Sequence, residues 1–221
     1  ECAVCGSAGW IIPLCSDCQK SCFSVAEIRE ERRCEICGRK LISEKNLCME
    51  CRTKPVFKST DKVIPVFEYQ LWNKELLFKW KIQEVRTLSP FFAKKLSEVL
   101  EILGESIIVP VPPRKGKIQR KGWDQVEELC QFLENRYGYS VLRILERKNE
   151  SEQKKLDREE RLKTIGKSYS LVQNERLIKL LAAYGGKMPD KVCLIDDILT
   201  TGSTIESCAD ILKKGGVSKV D

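Results

Sequence analysis

Val192-Cys193-Leu194-Ile195-Asp196-Asp197-Ile198-Leu199-Thr200-Thr201-Gly202-Ser203-Thr204 is the stretch that decides the fold. Its apolar start, Lys191 to Ile195, reads as a buried strand that delivers two adjacent acids to its carboxyl end. A loop of small hydroxylated residues with one glycine follows. A helix is then predicted over Ser203 to Lys214, with Ile205, Cys208, Ala209 and Leu212 facing inward, and Gly215-Gly216 ends it. Ligands of open α/β sheets sit outside the carboxyl ends of the strands, where this loop falls. Gly202 permits a tight turn, and the amides of Thr200, Thr201, Gly202, Ser203 and Thr204 can converge on a phosphate at the helix N-terminus. The carboxylates of Asp196 and Asp197 repel one another unless partnered. Ribose hydroxyls and a magnesium shell shared with pyrophosphate oxygens supply partners of the right kind. A plain helix N-cap uses the same residue types, but it requires neither the apolar strand nor the double acid. Neither G-x4-G-K-[ST] nor G-x-G-x-x-G occurs, so the commoner phosphate loops are excluded.

Outward from this loop, strands and helices alternate, which predicts an α/β fold with a mostly parallel sheet. Strands are expected at Val63 to Tyr69, Ser106 to Val111 and Val141 to Leu145, with the start of another in Val217 to Asp221. Helices are expected at Trp72 to Ile82, at Pro90 to Leu103, around Val126, Leu129, Cys130 and Leu133, and at Arg176 to Tyr184. Thr53 to Thr60 reads as a connector. The charged run from Glu150 to Lys167 reads as solvent-exposed, and Arg143 to Lys167 as a whole as an exposed helix with internal ion pairs.

Before the connector lie eight of the twelve cysteines, in four Cys-x-x-Cys pairs: Cys2/Cys5, Cys15/Cys18, Cys34/Cys37 and Cys48/Cys51. This is metal-ligand spacing, and zinc is the expected ion. The pairs form a repeat, each half reading C-x2-C-G-x8/9-C-x2-C with Gly6 and Gly38 in equivalent places. Two sequential four-cysteine sites are the simplest assembly; a crossed arrangement, with pairs one and three sharing an ion, has the same spacing. Cys22 falls outside the repeat and is expected to be a buried thiol. The chain is thus divided into a zinc-binding module, residues 1–54, and an α/β domain, residues 55–221.

The formal net charge is +7, but eight thiolates and two zinc ions would bring a metallated chain to +3. Net charge is therefore poor evidence for nucleic acid, and the placement of cations matters more. Arg114, Lys115, Lys117, Arg120 and Lys121 cluster in one loop with Trp123 close behind. Such a loop could track the phosphates of a single strand while Trp123 stacked on a base; equally, it could be solvated, with Trp123 opening a core helix. No apolar run approaches the roughly 20 residues that span a bilayer, and Trp10 to Leu14, broken by Pro13, is too short for a signal-peptide core. A cytoplasmic location is expected. The chain has no histidine, so a general base would have to be a carboxylate, lysine, cysteine or tyrosine.

The Val192–Thr204 stretch resembles the phosphoribosyl-pyrophosphate (PRPP) binding motif of type I phosphoribosyltransferases. The resemblance implies that Asp196 and Asp197 engage ribose hydroxyls and that Thr200 to Thr204 hold the 5′-phosphate, with magnesium alongside. It also places the loop carrying Arg114 and Lys115 where pyrophosphate would be held. Purine-salvage relatives have an acid where this chain has Thr200, so their proton-handling group is missing and no general base is assignable. The wider order of motifs is similar to the ComF family of competence proteins: cysteine pairs, Val109-Pro110-Val111-Pro112, Lys121-Gly122-Trp123-Asp124-Gln125, Arg147, Gln153, Arg161 and the Asp-Asp loop. Lys121 to Gln125 stand where that family commonly has Arg-Gly-Phe-Asn-Gln, and Thr164 where an Asn is usual. This likeness implies a role in bringing single-stranded DNA into the cell, with a helicase-like ATPase as partner. Three other readings go with it: an active transferase of unknown acceptor, a DNA-binding adaptor that keeps the fold as scaffold, and a regulator sensing PRPP.

Overall fold

The structure, a computed structural model, describes residues 1–8, 12–23, 25, 32–67, 71–114, 116–148 and 168–221. The expected elements Glu150 to Lys167, Gln153 and Arg161, together with the candidate Lys115, lie outside these residues. A four-stranded parallel sheet forms the centre. Its strands are β1 (Ile107–Pro110), β2 (Ser140–Val141), β5 (Lys191–Ile195) and β6 (Lys219–Val220), in the order β2-β1-β5-β6. A separate antiparallel pair is made by β3 (Leu145–Arg147) and β4 (Tyr169–Leu171).

Helices α1 (Ser16–Cys22) and α2 (Met49–Thr53) belong to the cysteine-rich segment. Then come α3 (Leu71–Lys81), α4 (Ser89–Leu103), α5 (Lys117–Lys121), α6 (Gln125–Tyr137), α7 (Asn174–Leu181) and α8 (Ser203–Lys214). Parallel neighbours need helical crossovers, which α5 and α6 provide from β1 to β2 and α8 provides from β5 to β6. The central strands are apolar on both faces, as a sheet covered on both sides requires. Ile108, Cys193 and Ile195 pack with Leu100 of α4 and with Val126, Cys130 and Leu133 of α6. The alternate residues Val109, Val192 and Leu194 pack with Ile205, Cys208, Ala209 and Leu212 of α8. This is the two-residue periodicity of a strand sorting its side chains between two layers.

Two expected strands came out differently. Val141 to Leu145 divides: Val141 stays beside Ile108 in the main sheet, whereas Leu145 pairs with Leu171 in the second one. The amide of Ile144 donates to the carbonyl of Leu142 at 3.0 Å. That i+2 bond is a tight turn, and it lets Leu142 and Ile144 both enter the core. The described part of Val63 to Tyr69, residues 63–67, forms no strand. Pro65 cannot donate to a ladder, and the Val63 amide is used instead by the carbonyl of Ile36, at 2.8 Å. The described start of the Arg143–Lys167 stretch is also not helical, since it contains β3, and Arg143 is held by Glu127 and Glu134 of α6.

The cysteine-rich segment does not stand apart from the sheet domain. Leu14, Cys15, Cys18 and Phe23 share a core with Leu76 and Trp80 of α3 and with Phe91 and Phe92 of α4. Phe23 meets Phe67 and Phe91 edge-on, at centroid distances of 5.6 and 5.3 Å. The second half of the repeat is seated against Val63 and Pro65. A Cβ on Gly38 would lie 2.3 Å from the Val63 carbonyl oxygen, so only glycine permits this approach.

The connector is anchored as well. Glu206, in the first turn of α8, accepts from the amides of Lys58, Ser59 and Thr60 at 2.9, 2.7 and 3.1 Å, and from the Thr60 hydroxyl at 3.0 Å. Asp61 continues along β6, its amide donating to the Val220 carbonyl and its carboxylate accepting from the Val220 amide, both at 2.8 Å. Glu206→Ala leaves those donors without their charged acceptor and is expected to cost about 2–3 kcal/mol. Urea denaturation would measure the loss, and limited proteolysis would show faster cleavage near Ser59. An unchanged midpoint together with unchanged cleavage would refute the anchor.

Candidate functional site

The strand order places a topological switch point between β1 and β5. From β1 the chain winds toward β2, and from β5 it winds the other way, toward β6. The loops leaving the carboxyl ends of these two strands therefore diverge and open a crevice, the common ligand position in open α/β sheets. Asp196 and Asp197 leave β5 at this crevice, and the loop 198–202 carries the chain into α8.

Within the loop, Gly202 caps α8 with φ +77°, a left-handed conformation that favours glycine. Thr200 and Thr201 are exposed, and Ser203 and Thr204 half-buried. The hydroxyls of Thr201 and Ser203 lie 2.8 Å apart. A cluster of hydroxyls ahead of a twelve-residue helix is a favourable seat for an anion.

The two acids differ in environment. Burial, and then the charge of Asp197, push the Asp196 carboxyl up to about 6. The Asp197 amide donates to the Asp196 Oδ1 at 2.8 Å and partly offsets this. Asp197 is paired with Lys81 Nζ, from the last residue of α3, at 2.7 Å. Nothing in the sequence singled out Lys81, because a lysine ending a surface helix is ordinary. Tyr169 of β4 was missed for the same lack of signal. Burial raises its phenol, opposed by Arg147, whose guanidinium lies 5.4 Å from the ring centre, and by a hydrogen bond to Thr204.

Two cavities meet at Asp197 and Leu199. One, of about 190 Å³, runs beneath the acid pair and is mainly apolar, with Phe67, Leu77, Trp80, Phe92 and Leu96 in its wall. The other, of about 470 Å³, lies between the loop and the second cysteine group.

The basic loop is less of a cluster than the sequence suggests. Arg114 is exposed just past the end of β1. Lys117 is turned inward onto Asp124 and Gln125, and Lys121 pairs with Glu84 at 2.6 Å. Arg120 is exposed and bonds back to the Gly116 carbonyl. Trp123, 5% exposed, packs on Trp80 with Arg86 over its ring, so its faces are occupied by protein. It is a core side chain here.

The eight N-terminal cysteines form two groups, Cys2/Cys5/Cys15/Cys18 and Cys34/Cys37/Cys48/Cys51, with all ligand atoms of each group within 4.8 Å of one another. This is the sequential pairing, and it excludes the crossed one in this structure. The Cys5–Cys15 and Cys37–Cys48 sulfurs are each 3.7 Å apart. A zinc tetrahedron with sulfurs about 2.3 Å from the ion has edges of about 3.8 Å, so each group could hold one zinc. Backbone amides face the sulfurs: Cys15 N donates to Cys2 Sγ, Cys18 N to Cys15 Sγ and Cys51 N to Cys48 Sγ. At Cys2, burial opposes ionisation, but the amides of Cys5, Cys15 and Val4 outweigh it and bring the thiol down to about 6. Cys34 reaches about 6 in the same way. Cys22 lies outside both groups and is half-buried rather than buried.

Elemental analysis is expected to give two zinc ions per chain. Because Leu14 and Phe23 share their core with α3 and α4, stripping the metal is expected to lower the melting temperature of the whole protein. A metal-free chain that melts unchanged would contradict this.

In class, then, this is an α/β protein with a parallel four-stranded sheet, an acid pair at its switch point and two four-cysteine groups docked on the same body. No family model and no solved structure matches the chain significantly. Two curated proteins do. Competence protein ComFC of Streptococcus pneumoniae (strain ATCC BAA-255 / R6) is 29% identical over 209 residues, covering 94% of this chain and 84% of that protein. Competence protein F of Haemophilus influenzae (strain ATCC 51907 / DSM 11121 / KW20 / Rd) is 26% identical over 225 residues, covering 94% of this chain and 87% of that protein. Over 94% of its length the chain is therefore similar to these two competence proteins, at 26–29% identity. Among the described residues, no helix is long and apolar enough to cross a membrane.

Proposed function

We propose that this protein binds magnesium-PRPP at the Asp196–Thr204 loop and serves natural transformation, assisting the handling of incoming single-stranded DNA together with a helicase-like ATPase. The competence relatives support the pathway. The ligand rests on one observation above all: a paired acid followed by a hydroxyl-rich, glycine-turned loop at the switch point of a parallel sheet. The ribose hydroxyls of PRPP would donate to Asp196 and Asp197. The amides and hydroxyls of Thr200 to Thr204, with Gly202 making the turn, would receive the 5′-phosphate. Magnesium would supply charge neutralisation between the acid pair and the pyrophosphate oxygens. Lys81 pairs with Asp197 and would yield to these partners. Arg114 lies beyond β1, beside the same crevice, where it could meet departing pyrophosphate.

A working transferase with an unidentified acceptor is the second reading. It is favoured by the apolar chamber of about 190 Å³ beneath the acids, which has room for a small ring. No side chain is assigned as its general base. The DNA-binding reading draws little from the basic loop, because Lys117, Lys121 and Trp123 make internal contacts.

Calorimetry on zinc-loaded protein, with and without magnesium, is the test. Magnesium-dependent PRPP binding that disappears in the Asp196→Asn/Asp197→Asn double variant is the expected result. Intact protein that binds no PRPP would overturn the ligand assignment.

A further inference from the structure

Two cavities flank the loop, and their walls differ in charge. The chamber beneath the acids is apolar apart from Asp196, Asp197, Asp221 and a single lysine, Lys62. A phosphate placed there would face three carboxylates. The larger cavity is bounded on one side by Asp197 to Gly202 and on the other by the second cysteine group, which contributes Arg33, Arg39 and Lys54 against one acid, Glu50, so its cations outnumber its acids by three to two. An anion on the loop therefore finds its countercharge across this cavity.

We infer that the second cysteine group is the outer wall of the phosphate site, and that Arg39 and Lys54 on it contact the phosphate of a phosphorylated sugar seated on the Thr200–Thr204 loop. The inference deepens the PRPP reading and rests on it for the identity of the sugar. Arg39 is poised to do this. Its partner is Glu50, at 2.8 Å, with side chains 57% and 71% exposed. Pairs so exposed contribute little, and a guanidinium exchanges such a carboxylate readily for the bidentate grip of a phosphate. Lys54, one residue beyond α2, is exposed and has no ion-pair partner among the described residues.

The wall is held in register with the loop by three contacts. Gly38 admits the Val63 carbonyl, and Glu206 grips the connector at the first turn of α8. Phe57 lies directly over Gly202, where a Cβ would come within 2.4 Å of its ring. The metal-binding segment and the phosphate loop are thereby parts of one site. This also gives a physical reason for a second four-cysteine group: a fold of so few residues needs its metal to present Arg39 and Lys54 at a constant distance.

The test is calorimetric titration of the zinc-loaded wild type, Arg39→Ala/Lys54→Ala and Lys54→Glu with ribose 5-phosphate and, separately, with magnesium-PRPP. Zinc content is measured on each protein. Both variants are expected to keep two zinc ions, because the substituted side chains are exposed and are not ligands. Each should bind both compounds at least tenfold more weakly, and the weakening should shrink as salt is raised. Should zinc-loaded variants bind both compounds within twofold of wild type, the wall is not part of the site while the PRPP reading survives. Should wild type bind ribose 5-phosphate but not PRPP, with the variants weakened, the wall stands and the PRPP reading falls. Binding of neither compound by wild type overturns both.

Discussion

Asp196→Asn is expected to make the protein more stable at neutral pH while ending the magnesium-dependent PRPP binding proposed above. In the folded chain, burial and then the neighbouring Asp197 hold the Asp196 carboxyl at about 6, against an ordinary value of 3.8. The folded state thus binds this proton more tightly than the unfolded chain does. The contribution favours folding below the unfolded value and is lost as pH rises through about 6. Above that, the ionised group costs about 3 kcal/mol. Asparagine keeps the acceptor for the Asp197 amide and carries no charge. Its advantage should approach about 3 kcal/mol at pH 7.5 and shrink toward zero near pH 4. Urea denaturation at three pH values would measure it, and a variant equally or less stable than wild type at pH 7.5 would contradict the argument. Stability surrendered at one charged position is common where ligand chemistry needs the charge. Here a cation and ribose hydroxyls would repay it on binding.

Gly202→Ala is expected to have the opposite effect on stability and the same effect on binding. At φ +77° an alanine suffers the left-handed penalty, about 1–2 kcal/mol. Its Cβ would also sit 2.4 Å from the ring of Phe57, which is 9% exposed and packed in the main core. Displacing that ring adds about 1–3 kcal/mol of overpacking. A total of about 2–5 kcal/mol follows. Gly186 offers a control: its φ is +74°, but nothing lies within 4 Å of its would-be Cβ, so Gly186→Ala should show the backbone share alone. A double-mutant cycle with Phe57→Ala should return the steric share. Equal costs for the two glycine variants would show that Phe57 does not press on the loop.

The loop and its fold were legible because their signals are local. Apolar Lys191–Ile195, the acid pair and the glycine before Ser203 follow one another in the chain, and each constrains the next few residues only. The cysteine repeat was equally plain, because metal spacing is a short-range pattern. The misread strands show the limit. Val141 to Leu145 has strand composition throughout, yet the bond from Ile144 to the Leu142 carbonyl bends it out of the sheet. Trp123 could open a core helix or stack on a base by its sequence, and only its packing on Trp80 decides between these. Lys81, Phe57 and Tyr169 gave no sign at all, since each is an unremarkable residue of its own element.

By itself, the sequence determined the α/β class, the strand, acid pair and glycine turn that lead into α8, and the eight cysteines that can hold metal, because backbone preference, hydrophobic period and ligand spacing act over a few residues. Tertiary structure alone decided which cysteines come together in each group, that Lys81 pairs with Asp197, and that the second cysteine group lines a cavity with Asp197 to Gly202. Tertiary contacts of this kind join residues as much as 159 positions apart, as between Asp61 and Val220. No local pattern encodes such distances. They are fixed when the strand order β2-β1-β5-β6 and the buried faces of α3, α4 and α8 bring the segments together.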